Sequence, residues 1–454
     1  MEYESATDNT EYPQDHFVAM RGRLGVVSLL LLLPYAALTI SQVASVGEGI
    51  IEWSSSKQIS SGVWFQGSSY SWLDVSVTGE EIYAAWMDGR DHQSTDYDIY
   101  FTSSQDGGAT WSEDRGIDTH GAYSSLVRVG FEGGFVHVFV NEGQDIYHLR
   151  SPDRGLSWTT RLIASSPGPL DNLWGTAVDS PFVYLAWSSR QNSGEFEIWF
   201  LKSADHGDTW NDPVRVWSGS SPSTHAFVDV SSSGNTVYIV FDGGFLKSRD
   251  GGDNWDQINT AIQGVDVEAE GSNVYVSTGN AYGIDGFVKS DDDGTTWHPT
   301  DYGAAGWIAT SRNIVYAGLA GNYSVSLDYG DSFHSGNIPG VTPFDPRETD
   351  LAYMTSAAAD SGTVHVILFQ AVSREYPNLE IFYQKLTVSG RSAPPPVQPP
   401  PSVTPPSSPV SSSPPLWQQY WLSIVAVILA TVGALTAYNL VRTRRKMQPR
   451  SIPT

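Results

Sequence analysis

The 454-residue sequence has no cysteine and few basic residues, with 25 Lys and Arg against 50 Asp and Glu. The absence of cysteine excludes disulfides, thiolate metal sites and thiol nucleophiles, although it does not by itself indicate a compartment. Between residues 49 and 390 we count 17 basic and 44 acidic residues, which gives a formal net charge of −27. This excess disfavours nucleic acid as a partner. Solubility, a high-salt habitat or divalent-ion binding would each account for it.

Residue spacings typical of a metal site are also missing. The ten histidines do not recur at ligand intervals. The run Asp291-Asp292-Asp293 lacks the D-x-D-x-D-G order of a calcium loop, and it is better explained as a turn closed by Gly294. We therefore predict neither a metal nor a cofactor.

What the sequence does contain is one short segment that occurs six times, each copy reading S-x-D-x-G-x-x-[WF]. Successive copies lie about 36 to 52 residues apart, an interval typical of one small four-stranded sheet per repeat. Strand-like runs such as Asp98-Ile99-Tyr100-Phe101 precede the copies, so each copy is predicted to be a hairpin turn. The Asp positions are Asp106, Asp153, Asp205, Asp250, Asp292 and Asp328, and the aromatic positions are Trp111, Trp158, Trp210, Trp255, Trp297 and Phe333.

The chemistry of this segment favours a structural role. The Asp carboxylate can accept hydrogen bonds from nearby backbone N–H groups, and the Gly two places later can adopt a positive φ without steric cost. We expect the aromatic residue to close the turn by packing on the next strand. The six carboxylates are therefore predicted to hold turns together and not to bind a metal or substrate.

The repeated segment resembles the Asp-boxes, or BNR repeats, of the sialidase-like β-propellers, and the resemblance covers roughly residues 50 to 390. It implies an all-β propeller in which the boxes lie on the face away from the ligand. Aligned on the boxes, the strands predict six repeats and a seventh set, Leu351–Thr355, Thr363–Phe369 and Glu380–Leu386, which lacks a box and a fourth strand. The segment Glu52–Ile59 resembles the residues that follow the boxes, with Trp53 at the aromatic position. We therefore predict a seven-bladed propeller closed by this N-terminal strand, where the sialidases have six blades.

Membrane-directed segments flank the repeats. Residues 1–48 include Arg21 and Arg23 followed by an apolar run, which predicts a signal peptide cleaved near residues 44–48, with a retained N-terminal anchor as the alternative. Whether translation starts at Met1 or at Met20 stays open. Residues 391–416 are rich in Pro and Ser and predict an extended stalk. Residues 417–441 predict a transmembrane helix, and the basic residues 442–454 place the tail in the cytoplasm. The propeller, residues 49–390, would then lie outside the cell, attached to the cell membrane by a single transmembrane helix.

The resemblance also directs attention to the loops between second and third strands, on the face opposite the boxes. Sialidases use three arginines to bind the substrate carboxylate, a Tyr nucleophile assisted by Glu, and an Asp acid/base. The candidates here are Arg90 with Asp91, Arg190, and Arg374 with Glu375 and Tyr376. The F/Y-R-I-P motif of the first sialidase arginine is absent, the nearest text being Leu126-Val127-Arg128-Val129. Because Arg90 and Arg190 occupy equivalent places in their repeats, repetition alone explains them, and we assign no catalytic residue.

Three functions remain open. The first is a membrane-anchored binding module for a glycan, a peptide or an extracellular protein. The second is an exo-sialidase-like glycoside hydrolase, and the third is a non-catalytic assembly or scaffold factor. One glycosylation sequon, Asn322-Tyr323-Ser324, lies within the predicted exterior domain.

Overall fold

The computed structural model describes residues 43–46, 49–63, 73–90, 97–117, 127–191, 194–220, 227–256, 258–280, 283–300, 306–319, 321–341, 355–371 and 379–389. The chain divides into two units, residues 1–391 and residues 392–454, and all described residues belong to the first. The predicted stalk, transmembrane helix and basic tail lie outside the described residues, as does the apolar run after Arg23. Within the described ranges no helix is long and apolar enough to cross a membrane.

The described regular structure consists of antiparallel β-sheets arranged as seven blades. From the axis outwards, blade 1 contains β4 (Leu73–Thr78), β5 (Glu81–Asp88), β6 (Asp98–Ser104) and β7 (Arg115–Gly116). Blade 2 contains β8 (Arg128–Glu132), β9 (Phe135–Glu142), β10 (Asp145–Ser151) and β11 (Thr159–Ser165). Blade 3 contains β12 (Leu170–Asp179), β13 (Phe182–Arg190), β14 (Phe196–Ser203) and β15 (Val214–Gly219).

Blades 4 to 6 follow the same order. Blade 4 has three strands, β16 (Val228–Ser233), β17 (Thr236–Phe241) and β18 (Gly244–Ser248), and an isolated bridge joins Phe245 to Asn259 in place of a fourth. Blade 5 contains β19 (Asp266–Glu270), β20 (Asn273–Asn280), β21 (Gly283–Ser290) and β22 (His298–Pro299). Blade 6 contains β23 (Trp307–Ser311), β24 (Ile314–Leu319), β25 (Asn322–Ser326) and β26 (His334–Asn337).

Blade 7 joins the two ends of the repeat region. It contains β27 (Thr355–Asp360), β28 (Thr363–Ala371) and β29 (Leu379–Ser389), and then β1 (Val43–Val46), β2 (Gly49–Trp53) and β3 (Lys57–Gln58) from the start of the chain. Strand β29 pairs with β2 through Trp53 and Leu386 and with β3 through Lys57 and Tyr383. The predicted closure by Glu52–Ile59 is therefore confirmed. Strand β1 pairs with β2, so the sheet also includes residues ahead of the predicted boundary at residue 49.

Some inner strands differ from those predicted. The described inner strand of blade 7 runs from Thr355 to Asp360 and so continues past Thr355, where we expected it to end, while residues 351–354 lie outside the described residues. In blade 2 the inner strand runs from Arg128 to Glu132. In both blades a two-residue turn fixes the pairing with the second strand, so the turn and not the apolar run sets the register.

The second strand of each blade lies between two neighbouring blades and is buried on both faces. In β5, for example, Ile82 to Trp86 are fully buried in an unbroken run. A sheet packed on both sides has no solvent face, so the alternation of polar and apolar residues disappears. The core of the molecule is therefore a ring of interfaces between blades.

Aromatic contacts between neighbouring blades hold this ring together. Each aromatic residue of the repeated segment packs edge-on against a ring in the third strand of the preceding blade, and not on the next strand as we expected. The pairs are Trp111–Tyr383, Trp158–Phe101, Trp210–His148, Trp255–Phe200, Trp297–Phe245 and Phe333–Phe287, with ring centroids 5.0 to 5.3 Å apart. Trp53 makes the same contact with Tyr323 of blade 6, at 5.0 Å. The closing strand thus supplies the seventh aromatic residue.

Replacing Trp53 by Ala tests this contact. Trp53 is 3% exposed, and the substitution leaves a cavity against Tyr323, so we expect a loss of about 3–5 kcal/mol in the free energy of unfolding. Urea denaturation of the excised propeller, residues 43–390, measures this change in the free energy of unfolding. The neighbouring exposed Glu52→Ala should change stability by less than about 0.5 kcal/mol. Equal effects of the two substitutions would contradict the closing role of Trp53.

Candidate functional site

The six repeated turns use their polar groups internally. Asp106 accepts a hydrogen bond from the Thr110 amide at 2.7 Å and from the Thr110 hydroxyl at 2.5 Å. Ser104 donates to Asp106 at 2.9 Å and accepts from the Gly108 amide at 2.9 Å. The bonds to Thr110 lower the pKa of Asp106 to about 2. The same arrangement occurs at Asp153, Asp205, Asp250, Asp292 and Asp328.

These turns define one face of the propeller. They contact the turns between first and second strands, as when the Gly107 amide donates to Glu80 O at 2.9 Å and the Gly251 amide to Asn235 O at 2.9 Å. We call this the box face. The loops between second and third strands lie on the opposite face, which we call the open face.

The structure places Arg90 within a local network at the end of strand β5. Its guanidinium donates to Asp88 at 2.7 Å and to the Ser61 hydroxyl at 2.8 Å, pairs with Asp114 at 2.8 Å, and lies 4.0 Å from the Tyr100 ring centroid. Asp88 is fully buried. Arg90 therefore joins blade 1 to the segment that follows the closing strand.

Arg190 lies two blades away. Its guanidinium carbon is 4.8 Å from the Phe196 ring centroid, and its backbone amide donates to Pro169 O at 3.1 Å. Both contacts stay within blade 3, whereas the contacts of Arg90 given above lie in blade 1 and at Ser61. Asp91, Arg374, Glu375 and Tyr376 lie outside the described residues, and their grouping stays a prediction.

A cavity of about 560 Å³, which no pattern in the sequence predicted, lies on the axis and is lined by the inner strands of all seven blades. Counted back from the two-residue turn, every second residue of an inner strand faces the cavity. The layer nearest the open face consists of Asp74, Arg128, Asp229, Asp266, Trp307 and Ser356. Alignment of the inner strands on their turns would have shown this layer.

The cavity is strongly acidic. Its lining includes seven carboxyl groups, and Arg128 is the one basic side chain among the described lining residues. The Arg128 guanidinium carbon lies 5.7 Å from the ring centroid of Trp307, which belongs to blade 6. The carboxyl groups are Asp74, Glu132, Asp179, Asp229, Asp266, Glu268 and Glu270.

Most of these carboxylates also bind the backbone of the next blade. Asp74 accepts from the Val129 amide at 2.8 Å, Asp229 from the Val267 amide at 3.0 Å and Asp266 from the Ile308 amide at 2.5 Å. The inner strand of each blade is the edge of its sheet. Its N–H groups that point away from the second strand therefore have no strand partner. The acidic side chains supply the missing acceptors, which gives them a structural role beside any role in binding.

The protein environment raises the pKa values of several carboxyl groups in this cavity. Burial raises the pKa of Asp74, and burial together with the charge of Asp229 raises the pKa of Asp266 well above its usual range. Asp229 and Asp266 hydrogen-bond to each other, an arrangement that keeps a shared proton. Burial followed by the Asp229 charge raises the pKa of Glu268 to about 8. Part of the cluster therefore stays protonated near neutral pH.

The described residues contain no group of three or more His, Asp or Glu side chains placed to hold a metal ion. The two buried histidines that touch, His137 and His148, are 3.0 Å apart and belong to the core between blades 2 and 3. Burial lowers the pKa of His137 to about 3, so this pair is neutral.

Comparison with known proteins gives structural similarities only, since neither a protein-family profile nor a curated protein matches the sequence. The chain is similar to Hadza microbial sialidase Hz136, with 14% identity and a TM-score of 0.40 over 70% of this chain and 65% of that chain. It is similar to polysaccharide lyase Uly1, with 9% identity and a TM-score of 0.43 over 72% of this chain and 92% of that chain. A Trypanosoma rangeli sialidase shows 12% identity and a TM-score of 0.41 over 76% of this chain and 59% of that chain. The chain thus spans less than two thirds of either sialidase.

A substitution at Arg90 distinguishes a structural arginine from a binding arginine. Arg90→Ala leaves the buried Asp88 without its guanidinium, and we expect a loss of about 3–5 kcal/mol in unfolding free energy. The matched control is Arg249→Ala, because the Arg249–Asp256 pair is exposed on both sides and should contribute less than about 1 kcal/mol. Equally small losses in the two variants would contradict a structural role for Arg90.

The acidic cluster predicts an unusual pH dependence. The pKa of Glu268 rises from 4.5 to about 8 on folding, so between these values the folded protein holds protons that the unfolded chain releases. Stability should therefore increase as the pH falls from 8 to 5. Below about pH 4 it should decrease, because the box carboxylates have pKa values lowered from 3.8 to about 2.

Urea midpoints at pH 8, 5 and 3 measure this dependence. Glu268→Gln removes the titration while keeping an acceptor near Ser231, and it should reduce the gain between pH 8 and 5. A stability that rises steadily from pH 5 to 8 would contradict the assignment.

Proposed function

We propose that this chain is a membrane-anchored, extracytoplasmic recognition module that binds a glycan, a peptide or a protein through the open face of its propeller. The proposal rests on the axial cavity, whose described lining contains seven carboxyl groups and a single arginine. Such a field attracts cationic groups and repels anions. We therefore propose a neutral or cationic ligand.

The geometry gives less support to an exo-sialidase. Binding the carboxylate of an anionic sugar needs guanidinium groups that converge on one point. Arg90 is already paired with Asp88 and Asp114, and Arg190 stacks on Phe196 in another blade. Arg128, the one basic side chain among the described residues that line the axial cavity, is surrounded by acidic groups. These contacts support recognition without hydrolysis.

The proposed location depends on the flanking sequence. Residues 417–441 would anchor the chain as a single transmembrane helix, residues 391–416 would form the stalk, and the basic residues 442–454 would stay in the cytoplasm. Whether the N-terminal segment is cleaved bears on the sheet itself. Cleavage near residues 44–48 would remove much of strand β1, whereas β2 and its pairing with β29 would remain.

Two measurements on the soluble propeller, residues 43–390, test the function. We expect no release of sialic acid from synthetic substrates, and we expect specific binding in a screen of immobilised neutral glycans, cationic peptides and extracellular proteins. Measured above pH 8, where Glu268 has lost its proton, Glu268→Gln and Asp74→Asn should weaken binding of a cationic ligand by reducing the axial charge, whereas the exposed Glu52→Ala should not.

Sialic acid release that disappears in Tyr376→Phe and Arg374→Ala would replace the proposal with the hydrolase. Failure to bind any of these ligand classes, together with stable association with one partner protein in membrane extracts, would favour the scaffold alternative.

A further inference from the structure

The sequon Asn322-Tyr323-Ser324 lies at an accessible point of blade 6. Asn322 is the exposed first residue of β25, directly after the tight turn that joins this strand to β24. Its side chain makes no hydrogen bond to any residue in the described ranges. The turn belongs to the open face, opposite the repeated turns. A large polar group on this side chain would project into solvent without displacing core residues.

We propose that Asn322 carries an N-linked glycan. The inference rests on the proposed extracytoplasmic location of the propeller. In this reaction the Asn322 amide nitrogen forms a bond to the anomeric carbon of a lipid pyrophosphate-linked oligosaccharide. The bond between that carbon and the pyrophosphate oxygen breaks, the lipid pyrophosphate leaves with the bonding electrons, and the nitrogen loses a proton to a base.

The rest of the sequon is buried in the folded propeller. Ser324 is fully buried, and its hydroxyl lies 2.6 Å from the hydroxyl of Ser335 in β26. Tyr323 is 6% exposed and packs against Trp53. A transferase that must contact the Ser324 hydroxyl cannot reach it in this state. Glycan transfer therefore precedes the folding of blade 6.

The sequon stays accessible for glycan transfer until the ring closes, because closure depends on a strand that is synthesised later. Trp53 is held against Tyr323 by strand β2, whose inward partner is β29. Strand β29 ends at Ser389 and is synthesised after the sequon. The N-terminal strand consequently cannot cover Tyr323 in its final position until blade 7 has been made. The same contact that closes the ring ends the period in which the sequon is accessible.

The chain provides an internal control. Asn337 pairs with Asn322 across β25 and β26 and is also exposed, but the residue two places after it is Pro339. Both asparagines lie in the tryptic peptide 313–347. Both asparagines are exposed, but only Asn322 begins a sequon. A modification found on Asn322 and absent from Asn337 is therefore enzymatic and not nonspecific.

Mass spectrometry of the protein extracted from its own membranes tests the inference. We expect a glycan on Asn322 and none on Asn337, with loss of the glycan in Asn322→Gln, its retention in Asn337→Gln, and little change in melting temperature in either variant. A bare Asn322 in a propeller that external protease can reach on intact cells would overturn the inference and leave the proposed location standing. A propeller that is protected from external protease would overturn the location, and the inference with it.

The order of events has its own test. With a transferase and a lipid-linked donor, the unfolded unmodified domain should accept the glycan and the folded domain should not. Equal modification of both would contradict the requirement for transfer before folding.

Discussion

The fold depends on one repeated contact, the edge-on packing of an aromatic ring against the third strand of the preceding blade. The glycine of each repeated turn makes this approach possible. An added Cβ on Gly155 would lie 2.5 Å from the Phe101 ring, and one on Gly252 would lie 2.3 Å from the Phe200 ring. Both glycines also have positive φ, so a side chain there would be strained as well as obstructed. Asp, Gly and aromatic residue therefore form one unit, in which the carboxylate holds the turn that delivers the ring.

The same requirement explains the closure of the ring. Blade 7 has no repeated turn after β29, so its aromatic contact must come from another part of the chain. Trp53 provides it, and strands β2 and β3 provide the outer pairing. The unpaired edges of an open ring would otherwise expose backbone groups to water or to other chains. The segment that closes the ring by strand pairing thus also supplies the aromatic contact at this interface.

A second constraint acts at the axis. Seven inner strands end the sheets there, and their N–H groups need acceptors. Side chains of the preceding blade supply them, from Asp74 and Asp229 near the open face to Glu132, whose carboxylate accepts from the Ser180 amide at 2.5 Å near the box face. Satisfying the backbone in this way concentrates carboxyl groups in a narrow cavity, where their charges repel and some stay protonated. The acidic axis is therefore in part a consequence of the architecture.

Much of the fold could be predicted from the sequence because the period and the turn chemistry are local. The number of blades follows from six repeated segments and a seventh set of strands, and Trp53 matches the aromatic position closely enough to predict the closing pair. The inner strand of blade 7 could not be placed, because its register depends on a turn and on small residues such as Ala357 to Ala359 that carry little strand signal. The acidic axis was also missed, since Asp74, Asp229 and Asp266 are far apart in sequence and meet only in the closed ring. The role of Arg90 depends on Asp114 and Ser61, which adjoin it only after folding.

We propose that the polar groups of the repeated turns stabilise the architecture and that the open face recognises a ligand without hydrolysing it. A crystal structure of the soluble propeller soaked with sialic acid tests this most directly. We expect that Arg90 stays on Asp88 and Asp114, that Arg190 stays on Phe196, and that no sugar carboxylate is bound between them. A sialic acid carboxylate held jointly by Arg90, Arg190 and Arg374, with Tyr376 beside its anomeric carbon, would contradict this proposal.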